Sequence, residues 1–383
     1  MDGPRLAVGL MSGTSADGID AVLVRTDGIG APRLLASLAI PYPLEVHRRI
    51  LELYQPASGE LDRMGALHRE LGGLFAQAAR QVCQEAGLPM EQVAVIGSHG
   101  QTIRHRPPLF TLQIGDPFEI ACRTGVTTVA DFRPADMVRG GEGAPLVPLF
   151  HQVLFSRSGQ GVAVMNLGGV ANITALSGDP RTPLIAGDVG PANSLLDLLA
   201  ARLSEGAMRS DIDGRLAAAG KVDPKALAWL MADPYLARPF PKSTGREAFG
   251  VELLERFLAV FPHLASEDGF ATLTRFTVET IADAACLLLP PRPERMILCG
   301  GGARNRFLVH ALAGRLPGVR IQDATDLGVD ADSLEAQAFA WFAVRTLDGL
   351  PSSLPAATGA SEAAILGAIY PAPAFYQPGS GGA

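Results

Sequence analysis

The chain has 383 residues, 48% hydrophobic and 19% charged, enough for two domains that each bury a core. A net charge of −7 without a Lys/Arg-rich run excludes nucleic acid as the main partner, because phosphate-backbone binding leaves a basic footprint. No stretch reads as an export signal or a membrane span. The four cysteines, Cys83, Cys122, Cys286 and Cys299, are far apart and read as reduced, buried small residues, so a cytoplasmic protein is expected.

The apolar run Leu6–Met11 enters a polar turn and Ile19–Val24 leaves it, so Gly9–Asp20 is expected as strand, tight turn and strand. Small residues there let the main chain approach a ligand. Its N–H groups, with the Ser12, Thr14 and Ser15 hydroxyls, could cup phosphate oxygens. Asp17 and Asp20 are acceptors suited to a Mg²⁺ shell that keeps most of its waters. An ordinary β-hairpin with a polar tip accounts for the same residues.

Asp62–Glu85 carries Met64, Leu67, Leu71, Leu74, Phe75, Ala78 and Val82 at helical spacing, and Val93–Gly97 follows as a short buried strand. That order indicates α/β layering. Ser98-His99-Gly100-Gln101-Thr102 then sits where open α/β sheets place ligands. His99 suits a ligand-orienting donor or a proton carrier, and equally a histidine bonded to a neighbouring carbonyl. Val126–Ala130, the next strand, runs into Asp131-Phe132-Arg133-Pro134-Ala135-Asp136. The planar fork of Arg133 suits an anionic group; a surface ion pair with Asp131 or Asp136 competes. Gly140–Pro145 reads as a loop and a hinge or domain boundary.

Val162–Ile173 repeats the apolar entry, glycine turn and apolar exit of the first hairpin, and two such hairpins across a cleft could hold a triphosphate. Ile185–Asp197 reads as a strand entering a helix with Pro191 in its first turn. Asp188 is then either a general base at the strand end or an acceptor at the helix N-terminus. Lys242-Ser243-Thr244-Gly245-Arg246-Glu247 lacks the upstream glycine of a phosphate-binding Walker loop, so Lys242 and Arg246 are expected as solvated loop charges, with the positioning of an anionic ligand as the alternative. After a helix over about 269–289, the strand Arg295–Cys299 delivers Gly300-Gly301-Gly302-Ala303-Arg304-Asn305. Three glycines there are hard to justify as packing, and close approach to a planar or phosphorylated ligand justifies them. Asp332-Ser333-Leu334-Glu335 opens a helix in the pattern of a capping box, and a short helix is expected near Ala363–Ile369.

In this order the motifs resemble the anhydro-N-acetylmuramic acid kinase family of peptidoglycan recycling, nearly end to end. The resemblance rests on Gly9–Ser15, Ser98–Thr102, Gly143–Pro148, Pro241–Glu247, Cys299–Gly302 and Thr358–Ala360. It implies a two-domain actin/hexokinase-like (ribonuclease H-like) α/β fold with ATP in a central cleft. Residues 1–138 with about 365–383 would form one domain and 139–364 the other. ATP contacts are implied for Gly13, Thr14, Ser15, Ala16, Asp17, Gly18, Ile19 and Asp20, for Asn166, Gly168 and Gly169, and for Gly300, Gly301, Gly302 and Asn305. Mg²⁺ would sit at Asp17 or Asp20, directly or through water. Asp188 matches the catalytic base, and Arg133, Glu335, His99 and Thr102, with Asp188, match the sugar side.

The implied partners are an amino sugar and ATP, with neither nucleic acid nor membrane, and a homodimer stays open. The family reaction opens the 1,6-anhydro ring with water and phosphorylates O6. This chain departs from the family pattern at Pro134-Ala135, Glu142, Val189 and Ala192, which bears on rate, affinity and sugar preference. Two alternatives remain at this level: a plain sugar kinase without hydrolysis, and an ATP-gated binding protein of the actin type.

Overall fold

The computed structural model describes residues 3–13, 15–179, 181–245 and 248–373. Its apolar runs form β1 (Arg5–Ser12), β2 (Gly18–Thr26), β3 (Arg33–Pro41), β4 (Val93–Arg106), β5 (Phe110–Ile114) and β6 (Thr128–Ala130). These are followed by β7 (Val162–Leu167), β8 (Val170–Leu176), β9 (Ile185–Pro191), β10 (Arg295–Cys299), β11 (Arg320–Asp323) and β12 (Ala368–Tyr370).

Two compact units divide the chain: residues to Val147 with Ser333–Pro355 and the chain from Ala360 on, and Pro148–Asp332 with Ala356–Gly359. The sheet of the first unit runs β12-β6-β4-β1-β2-β3, with β5 folded back on β4. Within it β1, β2 and β3 are antiparallel, whereas β1, β4 and β6 are parallel. The sheet of the second unit runs β11-β10-β7-β8-β9, with β7, β8 and β9 antiparallel and β7, β10 and β11 parallel. With β5 and β12 set aside, the two read alike: a meander of three strands whose first strand also starts a parallel trio. This is the ribonuclease H-like arrangement present twice, and the chain is an actin/hexokinase-like α/β protein.

In the first unit β1 is buried along most of its length, as a central strand covered on both faces must be. The helix Glu60–Glu85 buries the expected stripe through Leu67, Leu71, Phe75, Ala78 and Val82. The helix Leu334–Leu347 lies against β1 and β4 at two glycines that face each other in register, Gly9 and Gly97. A Cβ at Gly9 would come 1.9 Å from the Ala336 carbonyl oxygen, and one at Gly97 2.0 Å from that of Phe339. This packing draws Ser333–Pro355 into the first unit, although the sequence reading placed it with residues 139–364. In the second unit the helix Glu267–Leu288 joins two apolar clusters, one with the sheet and one around Phe249, Phe257 and Phe276.

Several local expectations are corrected. β4 does not stop at Gly97 but continues to Arg106, because its second half pairs with β5. Pro191 ends β9 rather than starting a helix; β9 is an edge strand, which tolerates the missing donor, and the helix begins at Ser194. The segment Ala363–Gly367 is not helical, and β12 follows it on β6. No capping box forms at Asp332, which pairs with Arg304, and the helix start carries no side-chain cap. Cys83 and Cys299 are buried, but Cys122 is exposed and Cys286 half-buried. Among the described residues no helix is long and apolar enough to cross a membrane.

Candidate active site

The turn between β1 and β2 is tied down from inside its own unit. Gly13 O accepts from Ala16 N (3.1 Å) and from Gln101 Nε2 (3.0 Å). Ala16 O accepts from His47 Nδ1 (2.7 Å), and Asp17 O from Tyr42 N (3.0 Å). Ser12 Oγ lies 2.7 Å from Gly18 O and 2.6 Å from Gln101 Oε1, so its one proton closes the base of the turn. With these carbonyls taken, what the turn offers a ligand is its N–H side, and Ala16 adds the left-handed conformation (φ 57°) found in anion-binding backbone nests. A Cβ at Gly13 would meet only Ser15 Oγ at 3.9 Å. Gly18 has a different reason to be glycine: its Cβ would strike Ile40 O at 2.3 Å, so it serves the β2–β3 pairing. Thr14 lies outside the described residues. Ser15 and Asp17 are exposed, Asp20 is half-buried on β2, and Ile19 is core.

Hard carboxylate oxygens at Asp17 and Asp20 fit Mg²⁺ that draws its other ligands from phosphate and water. An all-protein metal cage does not fit: among the described residues no group of three or more His, Cys, Asp or Glu could hold an ion.

The first unit also brings His99, Arg133 and Glu335 together. His99 is buried, its ring packed at 4.7 Å against that of Phe339 and tilted by 39°, with Nδ1 placed 3.0 Å from Gly100 O. Arg133 donates to His99 Nε2 from Nε (3.1 Å) and Nη2 (2.8 Å), and its Nη1 donates to Gly143 O (2.7 Å). A ring nitrogen that accepts from a guanidinium fixes the tautomer: Nδ1 carries the proton and donates to Gly100 O. Burial, and then the Arg133 charge, hold His99 well below the ordinary histidine range, so it is neutral and positions Arg133. Arg133 therefore does not make the surface ion pair. Burial lowers its guanidinium to about 10, against the pull of Glu335 and Asp136, and it stays charged at neutral pH. Glu335 stands one turn before Phe339 on the same helix face, where burial raises its carboxyl pKa and Arg133 opposes the rise. Thr102 is half-buried on β4, its Oγ1 accepting from Gln113 Nε2 at 3.2 Å.

In the second unit a polar row crosses the sheet: Asn166 on β7 faces Asn172 on β8, which faces Asp188 on β9. Asp188 Oδ1 accepts from Asn172 Nδ2 (3.0 Å) and Oδ2 from the Thr244 backbone N–H (2.9 Å). Its own N–H donates to Lys242 O (2.8 Å), and its carbonyl accepts from Tyr235 Oη (2.8 Å). Asp188 is thus a strand residue and not a helix-end acceptor. Gly187 lets the chain of Lys242 lie this close, since a Cβ there would be 2.7 Å from Lys242 O.

Lys242 is 5% exposed rather than solvated; Nζ donates to Tyr235 O (3.2 Å) and Leu236 O (2.9 Å) and stands over the Tyr235 and Phe240 rings. Arg246 and Glu247 lie outside the described residues. Sequence reasoning missed Asn172, Tyr235 and Thr244 as supports of Asp188. The available signal was Asn172, a polar residue inside an apolar strand.

The β7–β8 turn parallels the first one. The carbonyls of Leu167, Gly168 and Gly169 accept from Ala192, Asn193 and Ser194, with Asn193 Nδ2 donating at 2.9 Å to Leu167 O and 2.8 Å to Gly168 O. Packing explains two of the three glycines after β10, contrary to the sequence reading. A Cβ at Gly300 (φ 79°) would be 2.4 Å from Asn166 Oδ1, and one at Gly302 2.8 Å from Leu167 Cβ. Gly301 alone faces open space, on a cavity of about 430 Å³ that Asn305, Asn193, Asp213 and Ile212 also line. Asn305 caps the helix Arg306–Arg315 through Leu308 N (3.1 Å). Val189 and Ala192, two of the departures from the family pattern, are buried in the apolar cluster beneath this sheet.

The profile of the anhydro-N-acetylmuramic acid kinase family matches residues 5–372. The chain is 45% identical over 370 residues to the anhydro-N-acetylmuramic acid kinase of Shewanella amazonensis, covering 96% of this chain and 99% of that one. It is 46% identical over 374 residues to that of Xanthomonas campestris pv. campestris, covering 96% and 97%. Component A of the Acidaminococcus fermentans (R)-2-hydroxyglutaryl-CoA dehydratase is similar at TM-score 0.45 and 14% identity over 90% of this chain and 99% of that one. The chain belongs to the anhydro-N-acetylmuramic acid kinase family.

Proposed function

We propose that Asp188 is the base with which this ATP-dependent sugar kinase opens 1,6-anhydro-N-acetylmuramic acid, giving N-acetylmuramic acid 6-phosphate and ADP in peptidoglycan recycling. The observation that carries the reading is the Asp188 carboxylate held on both oxygens, by Asn172 and by the Thr244 N–H. A carboxylate fixed in this way is pre-aimed and acts as an acceptor only, as a general base must. Water gives one proton to Asp188 while its oxygen bonds to C1 and the C1–O6 bond breaks. The electron pair left on O6 attacks the γ-phosphorus, the bond to the ADP oxygen breaks, and Asp188 later returns its proton to solvent.

Arg133, kept charged and aimed by His99, holds an anionic or carbonyl oxygen of the sugar. Glu335 and Thr102 receive its hydroxyls. The N–H side of the Gly13–Asp20 turn and that of the Asn166–Gly169 turn cradle ATP phosphates, and the cavity beside Gly301 and Asn305 takes the adenosine. Mg²⁺, when bound near Asp17 and Asp20, neutralises charge on the transferring phosphoryl group. The reading places the reaction in the cytoplasm, where ATP is supplied.

ADP release tests it. With the anhydro sugar present, the wild type releases ADP in proportion to sugar consumed, and Asp188→Asn falls by about 10²–10⁴-fold in kcat while still binding ATP. ADP release that ignores the sugar, or that survives in Asp188→Asn, contradicts the reading.

A further inference from the structure

The Lys242 ammonium is buried against its own chain rather than offered to a ligand. Nζ donates to the carbonyls of Tyr235 and Leu236, and it stands 4.7 Å from the centre of the Tyr235 ring and 4.9 Å from that of Phe240. Carbonyl oxygens and ring faces all turn negative potential toward it, so the enclosure fits a cation and not a neutral chain of the same length. Burying a charge is costly unless such partners receive it, and what the contact holds in place is therefore informative.

It holds the surroundings of Asp188. Tyr235, bound through its carbonyl, gives its hydroxyl to Asp188 O, and Lys242 O accepts from Asp188 N. Two residues on, the Thr244 N–H donates to Asp188 Oδ2, one of the two bonds that aim the carboxylate. Residues 239–245 adopt neither helix nor strand, although they lie against the edge strand β9. A Cβ at Gly187 would come 2.9 Å from Phe240 Cδ1 and 3.1 Å from Lys242 N. With no regular ladder to fix this segment, the Lys242 side chain does so by joining residue 242 to residues 235 and 236. Three of the partners of Asp188 described above thus sit on chain that one ammonium group closes into a loop.

We propose that Lys242 is a positioning residue for catalysis: its ammonium holds residues 235–244 so that the Thr244 N–H stays on the Asp188 carboxylate. The proposal rests on Asp188 as the base. A double-mutant cycle on the full chain, with ATP and the anhydro sugar, tests it. Lys242→Met keeps the apolar stem and removes the charge. It should lower kcat by about 10- to 100-fold while KM for sugar and ATP stays within about three-fold. In Asp188→Asn the same change should cost less than about two-fold, because no base is left to aim, whereas a general loosening of the fold would cost the same factor again. Phe240→Leu, which removes one ring face and keeps the carbonyl bonds, serves if Lys242→Met fails to fold. It should lower kcat by about three-fold, and only where Asp188 is present. Wild-type kcat in both Lys242→Met and Phe240→Leu, a loss carried by KM, or an equal loss in Asp188→Asn overturns the proposal and leaves Asp188 as the base. Wild-type kcat in Asp188→Asn overturns both.

Discussion

At residue scale the sharpest contrast is between Asp188 and His99. Both sit in polar clusters on strands, and both suit proton transfer by residue type. Asp188 is oriented by two donors, whereas His99 has both ring nitrogens engaged, one on a carbonyl and one on a cation. His99→Ala should therefore raise KM for the sugar by about 10- to 100-fold, the worth of hydrogen bonds to a charged group. It should leave the acid limb of kcat unmoved. A shifted limb in a pH–rate profile would instead make His99 a proton carrier.

Asp188 itself was legible in the chain as a carboxylate at the end of an apolar run. Of its supports only Asn172 left a signal, because Thr244 acts through backbone N–H and Lys242 through its carbonyl, groups that residue type does not mark. Lys242 was misread for a related reason: proline neighbours look like a loop, and only tertiary contact shows that two carbonyls and two rings enclose the ammonium group.

At the scale of elements, glycine carries two meanings that a sequence alone does not separate. Gly97 is a packing glycine beneath the helix Leu334–Leu347, and Gly97→Ala should cost about 3 kcal/mol or prevent folding, as overpacking against backbone does. A Cβ at Gly301 would meet nothing within 4 Å, so Gly301→Ala should hold the melting temperature while weakening ATP binding. Paired thermal melts and nucleotide titrations separate the two; a Gly301→Ala protein that binds ATP normally would remove that turn from the nucleotide site. The helix expected over Asp62–Glu85, found as Glu60–Glu85, and the two hairpins were readable from periodicity, whereas β3 and β11 were not read. The extent of β4 and the end of β9 were not, since pairing with β5 and an edge position decide them.

At the scale of the whole molecule, one topology occurs twice, and the first sheet gains β12 and the helix Leu334–Leu347 from the far end of the chain. The repeated hairpins were visible in sequence, and the family resemblance returned about 365–383, with β12, to the first domain; the return of the helix Leu334–Leu347 was missed, because no local signal marks which sheet a late helix joins. Three histidines link this architecture to pH. Burial lowers His99 well below its ordinary value, His105 to about 4 and His151 to about 3. The unfolded chain takes up these protons below pH 6.5 and the folded one does not, so stability is full above 6.5 and falls as pH drops from there. His151→Gln should flatten the stability–pH slope between pH 4 and 6.5 by about 1.4 kcal/mol per pH unit, measured by guanidinium denaturation. An unchanged slope would mean that His151 is protonated in the folded core.

The central claim is that water activated by Asp188 opens the anhydro ring in the same turnover that phosphorylates O6. Turnover in ¹⁸O-water, followed by mass spectrometry of the sugar phosphate, tests it directly. One label at C1 in every product molecule, with label and ADP lost together in Asp188→Asn, is the predicted result; a phosphorylated sugar without label would contradict it.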